Sequence, residues 1–412
     1  MQRASPPARR GCTHRCSSLE SEMVPTHGGW PMSDRTRLEV IDSDGHVIEP
    51  DTVWQDYSEP EYRDRLDRPG GGVQELGMVR AYPDAVAAVP TPPDGESWAA
   101  DIGSEQWDDE ARLKMGRPGG YDPHARLIDM DAEGIDVAVL YPTSMLTWVD
   151  DAELFGAACR AYNNWLHDYC SAAPSRLYGA GVVPLQDLDA AVVEMRRCVE
   201  QLGFKAIMLR PAAYRDNQKL NHPDYDPFWD AAAGLGCPIG IHPSPHGDMP
   251  NACSLLGLAE GVTDPINGLA LRQGLTNAFD VQMAVGLFVL GGICERHPEL
   301  RVAFLEGTGG WIVPMLERFD HQFKIFGSPD QSTIPSEVFA RQCVISFDPD
   351  EVTLGFTAEH LGADKVIWAS DYPHPDAKIP GVVKELQEAV ESLPAESQAE
   401  VMGRSARRFY GL

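Results

Sequence analysis

The chain has 412 residues, is 43% hydrophobic, and carries 62 acidic against 34 basic side chains, for a formal net charge of −28. So acidic a surface repels nucleic acid and anionic membranes, so neither is an expected partner, and a chain this long can bury one large core with insertions. Its nine cysteines are odd in number and lack a framework spacing, which points to reduced thiols in a cytoplasm.

Residues 1–36 read as a disordered tail, rich in Ser, Pro, Arg and Gly with no apolar periodicity. Arg9-Arg10 is similar to a twin-arginine signal, but no apolar run follows, and Met23 or Met32 could be the natural start. Cys12, His14 and Cys16 are too few for a four-ligand zinc site. Residues 37–412 are read as one domain. Short β-rich runs recur along it at Leu38–Asp44 (running into His46), Val137–Tyr141, Tyr178–Val183, Phe204–Leu209, Pro238–His242, Arg301–Glu306, Cys343–Phe347 and Lys365–Asp371. Between them lie helical patterns at Glu153–Ala172, Leu188–Leu202, Tyr225–Leu235, Gln282–Glu295, Trp311–Phe326 and Pro349–Leu361. Gly203, Gly236 and Gly362 stand where three of these helices should stop.

Strands alternating with helices imply parallel pairing, and eight such units predict an α/β fold closed as a (β/α)8 barrel, the TIM-barrel architecture. The most apolar stretch, Met283 to Cys294, is about a dozen residues against the roughly 20 a bilayer requires, and reads as a buried helix. Two connections are long: Glu49 to Gly120 after the first strand, and Ser244 to Asp280 after the fifth. Both leave the carboxyl ends of strands, where barrel enzymes build their sites. Residues 50–120 are therefore expected as an insertion over the active-site face, with substrate and dimer contacts.

Asp44 and His46 close the first strand two residues apart, so both side chains should face one way. His242 closes the fifth strand and Asp371 the eighth. In a closed barrel these ends converge on one mouth. Two carboxylates and two imidazoles there suit Zn²⁺, Mn²⁺ or Fe²⁺. Arg210, ending the fourth strand, could clamp a substrate carboxylate. His246 lies in a Pro-rich loop near His242 and should line the pocket. His374 and Asp42 are candidates to orient the ligands. Lys205 reads as structural.

The run Ile41-Asp42-Ser43-Asp44-Gly45-His46-Val47-Ile48-Glu49-Pro50 resembles the opening motif of the amidohydrolase-related family. The similar branch is that of aminocarboxymuconate-semialdehyde decarboxylase and γ-resorcylate decarboxylase. Further matches are Gly203-Phe204-Lys205-Ala206, Ile241-His242-Pro243, His297-Pro298-Glu299-Leu300, Glu306-Gly307-Thr308-Gly309-Gly310-Trp311 and Ala369-Ser370-Asp371-Tyr372-Pro373-His374. The resemblance implies a barrel with one divalent metal, zinc foremost and manganese or iron next, bound by Asp44, His46, His242 and Asp371. It also implies oligomers, with a homodimer as the default. This sequence departs from the pattern at Glu306, where relatives generally carry His.

The expected activity is a metal-dependent lyase (a decarboxylase) or hydrolase on a small carboxylate or carbonyl substrate. Asp371, Glu306 and His242 are the expected catalytic residues. The alternatives are a carboxylate-rich iron or manganese oxygenase, supported by Glu306, and an inactive partner subunit, which intact ligands disfavour.

Overall fold

A computed structural model describes residues 37–50, 52–66, 117–146, 151–212, 214–215, 218–243, 268–374 and 377–412. The expected tail, the Cys12, His14 and Cys16 cluster, most of the first insertion and His246 lie outside these residues.

Eight strands pair in sequence order: β1 (Ile41–His46), β2 (Val137–Tyr141), β3 (Leu177–Val182), β4 (Ala206–Leu209), β5 (Ile239–Ile241), β6 (Val302–Phe304), β7 (Cys343–Phe347) and β8 (Val366–Trp368). Every neighbouring pair is parallel. The ring is drawn together just beyond β8, where Asp371 N donates to Asp44 O at 3.1 Å and His46 N to Tyr372 O at 2.7 Å. β2 and β7 are buried along their whole length, as continuous apolar runs in parallel strands should be.

The helices in chain order are α1 (Thr52–Asp56), α2 (Pro60–Leu66), α3 (Pro123–Glu133), α4 (Ala152–Ser171), α5 (Leu188–Glu200), α6 (Asp226–Leu235), α7 (Gly268–Val285), α8 (Ile293–Arg296), α9 (Ile312–Phe326), α10 (Pro335–Gln342), α11 (Leu354–Leu361), α12 (Val382–Val390), α13 (Ala395–Ala399) and α14 (Ser405–Tyr410). The three glycines read as stops have φ of 72°, 61° and 105° at Gly203, Gly236 and Gly362. Asn163 ties α4 to the barrel: it donates to Val182 O at 2.9 Å and accepts from Val182 N at 3.0 Å.

Three readings need correcting. The helix placed at Gln282–Glu295 begins at Gly268, so the connection after β5 ends at residue 267, and a π-helical turn at Gly286–Leu290 links α7 to α8. The run Gly274–Arg296 is thus long and apolar enough to cross a membrane by length and composition, but 56% of its apolar window is buried. Val281, Val285, Phe288 and Ile293 belong to the barrel core, which explains the apolarity without a bilayer. The helix after β7 starts at Leu354 because Pro349 to Thr353 form a turn.

The floor beneath the mouth is aromatic. Tyr141 and Tyr410 meet hydroxyl to hydroxyl at 3.1 Å, and Tyr410 donates to Ser43 O at 3.2 Å. Gly240 in β5 makes room, since a Cβ there would lie 2.6 Å from the Tyr141 hydroxyl.

Candidate metal centre

β1 delivers Asp44 and His46. Its register against β2 slips between Asp42 and Gly45, a bulge that interrupts simple alternation just before His46. The two side chains still face a common point, His46 Nε2 lying 3.6 Å from Asp44 Oδ1. His242, directly after β5, brings its Nε2 to 3.2 Å from His46 Nε2 and 3.7 Å from Asp44 Oδ2. Asp371, beyond β8, places Oδ1 3.4 Å from His46 Nε2. His46 Nε2 thus has Asp44, His242 and Asp371 around it.

The far nitrogens of the imidazoles are committed. His46 Nδ1 sits 2.9 Å from Pro142 O and His242 Nδ1 2.7 Å from Pro243 O. A carbonyl only accepts, so each Nδ1 carries a proton and Nε2 is the nitrogen each ring turns to the centre, the usual arrangement of a ligand histidine; without a metal the His242 Nε2 carries a proton too, shared with Glu306 and His46.

Electrostatics favour a cation. Burial pushes the Asp44 carboxyl well above the usual range, an effect the His242 charge counters and Glu306 and Asp42 reinforce. Burial, then His374 and His242, hold His46 well below its ordinary value. Burial also opposes charge on His242, but Asp44 and Glu306 outweigh it and raise that imidazole to about 9. The carboxylates thus hold a proton where a divalent ion would sit. Asp44 Oδ1 is buried and accepts no hydrogen bond. An orphaned carboxylate oxygen beside two inward-facing Nε2 atoms fits a divalent metal that displaces the shared proton, and the donor set of carboxylates and imidazoles is the right chemistry for one.

Glu306 and His374 complete the cluster. Glu306 Oε2 lies 2.8 Å from His242 Nε2, and Asn277 donates to its Oε1 at 3.1 Å. His374 Nδ1 lies 2.7 Å from Asp371 Oδ1, its Nε2 2.9 Å from Thr143 Oγ1, and its ring stacks on His46 at 4.0 Å. Glu306 and Asp371 have positive φ, 44° and 53°, a region costly for residues other than glycine. Strain is held at both candidate catalytic carboxylates.

Arg210 is buried immediately after β4, beside His242, whose N donates to Leu209 O at 3.0 Å. Asp42 is buried and accepts from Ser370 N at 2.9 Å and from Ser370 Oγ at 2.6 Å, so it orients the β8 end as expected. Lys205 reaches Gly411 O at 3.2 Å at the other end of the barrel, which fits its structural reading. Sequence reading missed Thr143, Asn277 and Arg126. Asn277 and Arg126 lie within helices, and Thr143, though two residues past β2, is not ionisable, so each shows its role only through a tertiary contact.

The chain matches the amidohydrolase family over residues 41–412. It is 25% identical over 300 residues to 2-amino-3-carboxymuconate-6-semialdehyde decarboxylase of Dictyostelium discoideum, covering 71% of this chain and 77% of the relative. It is 26% identical over 265 residues to γ-resorcylate decarboxylase of Rhizobium radiobacter, covering 60% and 76%. Among solved structures, an amidohydrolase from Mycobacterium avium subsp. paratuberculosis aligns with a TM-score of 0.69 at 20% identity, covering 92% of this chain and 99% of that one. A dihydroxybenzoic acid decarboxylase from Polaromonas sp., solved with manganese, aligns with a TM-score of 0.62 at 16% identity, covering 91% and 98%. These likenesses confirm the barrel, and the relatives are decarboxylases. The chain is a divalent-metal enzyme of the amidohydrolase family, in the branch of aminocarboxymuconate-semialdehyde decarboxylase and γ-resorcylate decarboxylase.

Proposed function

We propose that this enzyme decarboxylates a small aromatic or unsaturated carboxylate. The observation that carries the reading is Asp371, which lies among the ligand side chains and holds a short contact to His374. Asp44, His46, His242 and Asp371 would hold the metal. A divalent ion held there would supply Lewis-acid stabilisation of negative charge developing on the substrate. The rest falls to this chain's own residues. Asp371 delivers a proton to the ring carbon, the bond from that carbon to the carboxylate breaks, and carbon dioxide leaves. His374, between Asp371 and Thr143, relays a proton from solvent to Asp371 Oδ1, replacing the one left on the product. Arg210 clamps a second polar group of the substrate. Glu306 orients His242 and serves as acid or base on the opposite side.

Manganese suits so carboxylate-rich a donor set and occurs in the solved Polaromonas neighbour, while zinc is the alternative. A cytoplasmic setting is supported by six described cysteines that are free and buried. A homodimer is proposed on the family resemblance, and sedimentation velocity tests it.

The deciding experiment combines metal analysis with a screen of hydroxybenzoates and carboxymuconate-like acids, reading carbon dioxide release. One metal per chain and release from at least one acid is the expected result. A second reading, the oxygenase, is favoured by the overlap of two donor groups, Asp44 with His46 and His242, and His46 with Asp371 and His374. Two iron or manganese ions per chain, with oxygen consumption and no carbon dioxide, would establish it instead.

A further inference from the structure

Arg126 on α3 is almost fully buried, an expensive place for a guanidinium. Its Nη1 donates to His46 O at 2.9 Å and to Tyr372 O at 3.3 Å. Its guanidinium carbon lies 4.4 Å from the centre of the Tyr372 ring, a cation–π contact. Its Nη2, which has no hydrogen-bond partner among the described residues, fills the space beside Gly45: a Cβ on Gly45 would collide with it and stand 2.8 Å from Asp42 Oδ2. Asp42 in turn accepts from Asp44 N at 3.3 Å and from Ser370 N and Oγ. One buried cation and one buried anion therefore touch the backbone of Asp44 and His46 on β1 and of Ser370 and Tyr372 on either side of Asp371.

We propose that Arg126 is a positioning residue of the metal centre: together with Asp42 it fixes the separation between the β1 ligands and Asp371, and Gly45 is glycine because the guanidinium occupies its Cβ space. The inference rests on the metal reading above. A seam that only had to hold the barrel shut could be built from apolar side chains without the desolvation penalty of two ions. One guanidinium nitrogen donates to both carbonyls while the planar group stacks on the Tyr372 ring and its second nitrogen fills the space beside Gly45, a flat shape that the lysine ammonium lacks. Arg126 thereby acts on two ligands at once through their own main chain.

The test uses the full chain, stripped of metal, in four variants: Arg126→Met, Arg126→Lys, Gly45→Ala, and Asn163→Ala as a stability control remote from the ligands. Manganese affinity is read from the EPR signal of free Mn²⁺, ligand geometry from the spectrum of bound Mn²⁺, and stability from thermal unfolding of the metal-free protein. Arg126→Met and Gly45→Ala are expected to weaken manganese binding about 10- to 100-fold and to alter the bound spectrum, with Arg126→Lys in between. Asn163→Ala is expected to lower the unfolding temperature and keep wild-type manganese affinity. Wild-type affinity and spectrum in Arg126→Met and Gly45→Ala overturn the proposal, as does an equal loss of affinity in Asn163→Ala. Should Arg126→Met fail to fold, Gly45→Ala decides alone. A wild-type chain that takes up no manganese, zinc or iron overturns the metal reading and this inference with it.

Discussion

Two histidine-proline pairs in this barrel carry similar neighbours and are wired in opposite ways. His242 precedes Pro243 inside the mouth. Its Nδ1 faces a backbone carbonyl, and its Nε2 faces His46, Asp44 and Glu306. His297 precedes Pro298 just after α8. Its Nδ1 lies 2.8 Å from Asp230 Oδ1 and its Nε2 3.1 Å from Asp226 Oδ1, so both nitrogens are spent on carboxylates, and Arg296 pairs with the same Asp226. The first wiring turns one nitrogen to a cluster of carboxylates, where a cation can displace its proton. The second leaves nothing to give and staples α8 to α6. Residue type and flanking proline do not separate a ligand from a staple, whereas the partner of the second nitrogen does.

The largest effect should come from the mouth. His242→Ala, or removal of metal with a chelator, should abolish turnover, and manganese should restore it only in the wild type. Asp371→Asn should lower kcat by about 10²- to 10⁴-fold, the usual range for loss of a positioned proton donor. Full activity of Asp371→Asn on every acid the wild type accepts would remove Asp371 from the mechanism.

The staple should behave otherwise. His297→Ala leaves Asp230 without its imidazole and Asp226 with Arg296 alone. It should cost about 1–3 kcal/mol of stability in urea unfolding, with metal content and kcat unchanged. A loss of bound manganese in His297→Ala at temperatures where it stays folded would erase the contrast between the two clusters.

The same contrast explains how much the sequence disclosed. The ligands were legible because they close strands, and a parallel barrel gathers strand ends at one mouth. β2 and β7 were legible to the residue because each is a short, mostly apolar run rich in β-formers and closed by proline or Asp-Pro at its end. β6 and β8 are only three residues each, so their limits were drawn too wide. α10 was missed because Pro335–Gln342 is short and mixes charge with its buried Val338 and Phe339. α3 was missed although its signals were present: Asp122 caps it, accepting from His124 N at 2.8 Å, and Pro123 opens it. It followed a long insertion read as one connection, and Arg126 was lost with it. Arg126 and His46 are 80 positions apart, and no local pattern joins them.

A carboxylate pair extends the comparison to pH. Asp44 and Glu49 each have a buried oxygen that accepts no hydrogen bond. Asp44 faces imidazoles. Glu49 Oε2 accepts from Ser144 N at 2.8 Å and from Thr143 N at 3.3 Å, capping the turn after β2, and Glu49 belongs to neither described donor cluster. Burial raises the Glu49 carboxyl to about 7, against the pull of those N–H groups toward the ionised form. A folded-state value above the unfolded one means that, between about 4.5 and about 7, the folded chain keeps a proton the unfolded chain has lost. Stability from this group is therefore full at low pH and falls as pH rises through that window, by up to about 3 kcal/mol. Glu49→Gln keeps an acceptor for Ser144 N and removes the charge. In chelator, its stability relative to wild type should rise from pH 5 to pH 8, read as the difference between two urea midpoints at each pH. An unchanged difference would mean that Glu49 ionises freely in the fold, and that an orphaned oxygen alone, without an imidazole facing it, does not mark a strained carboxylate.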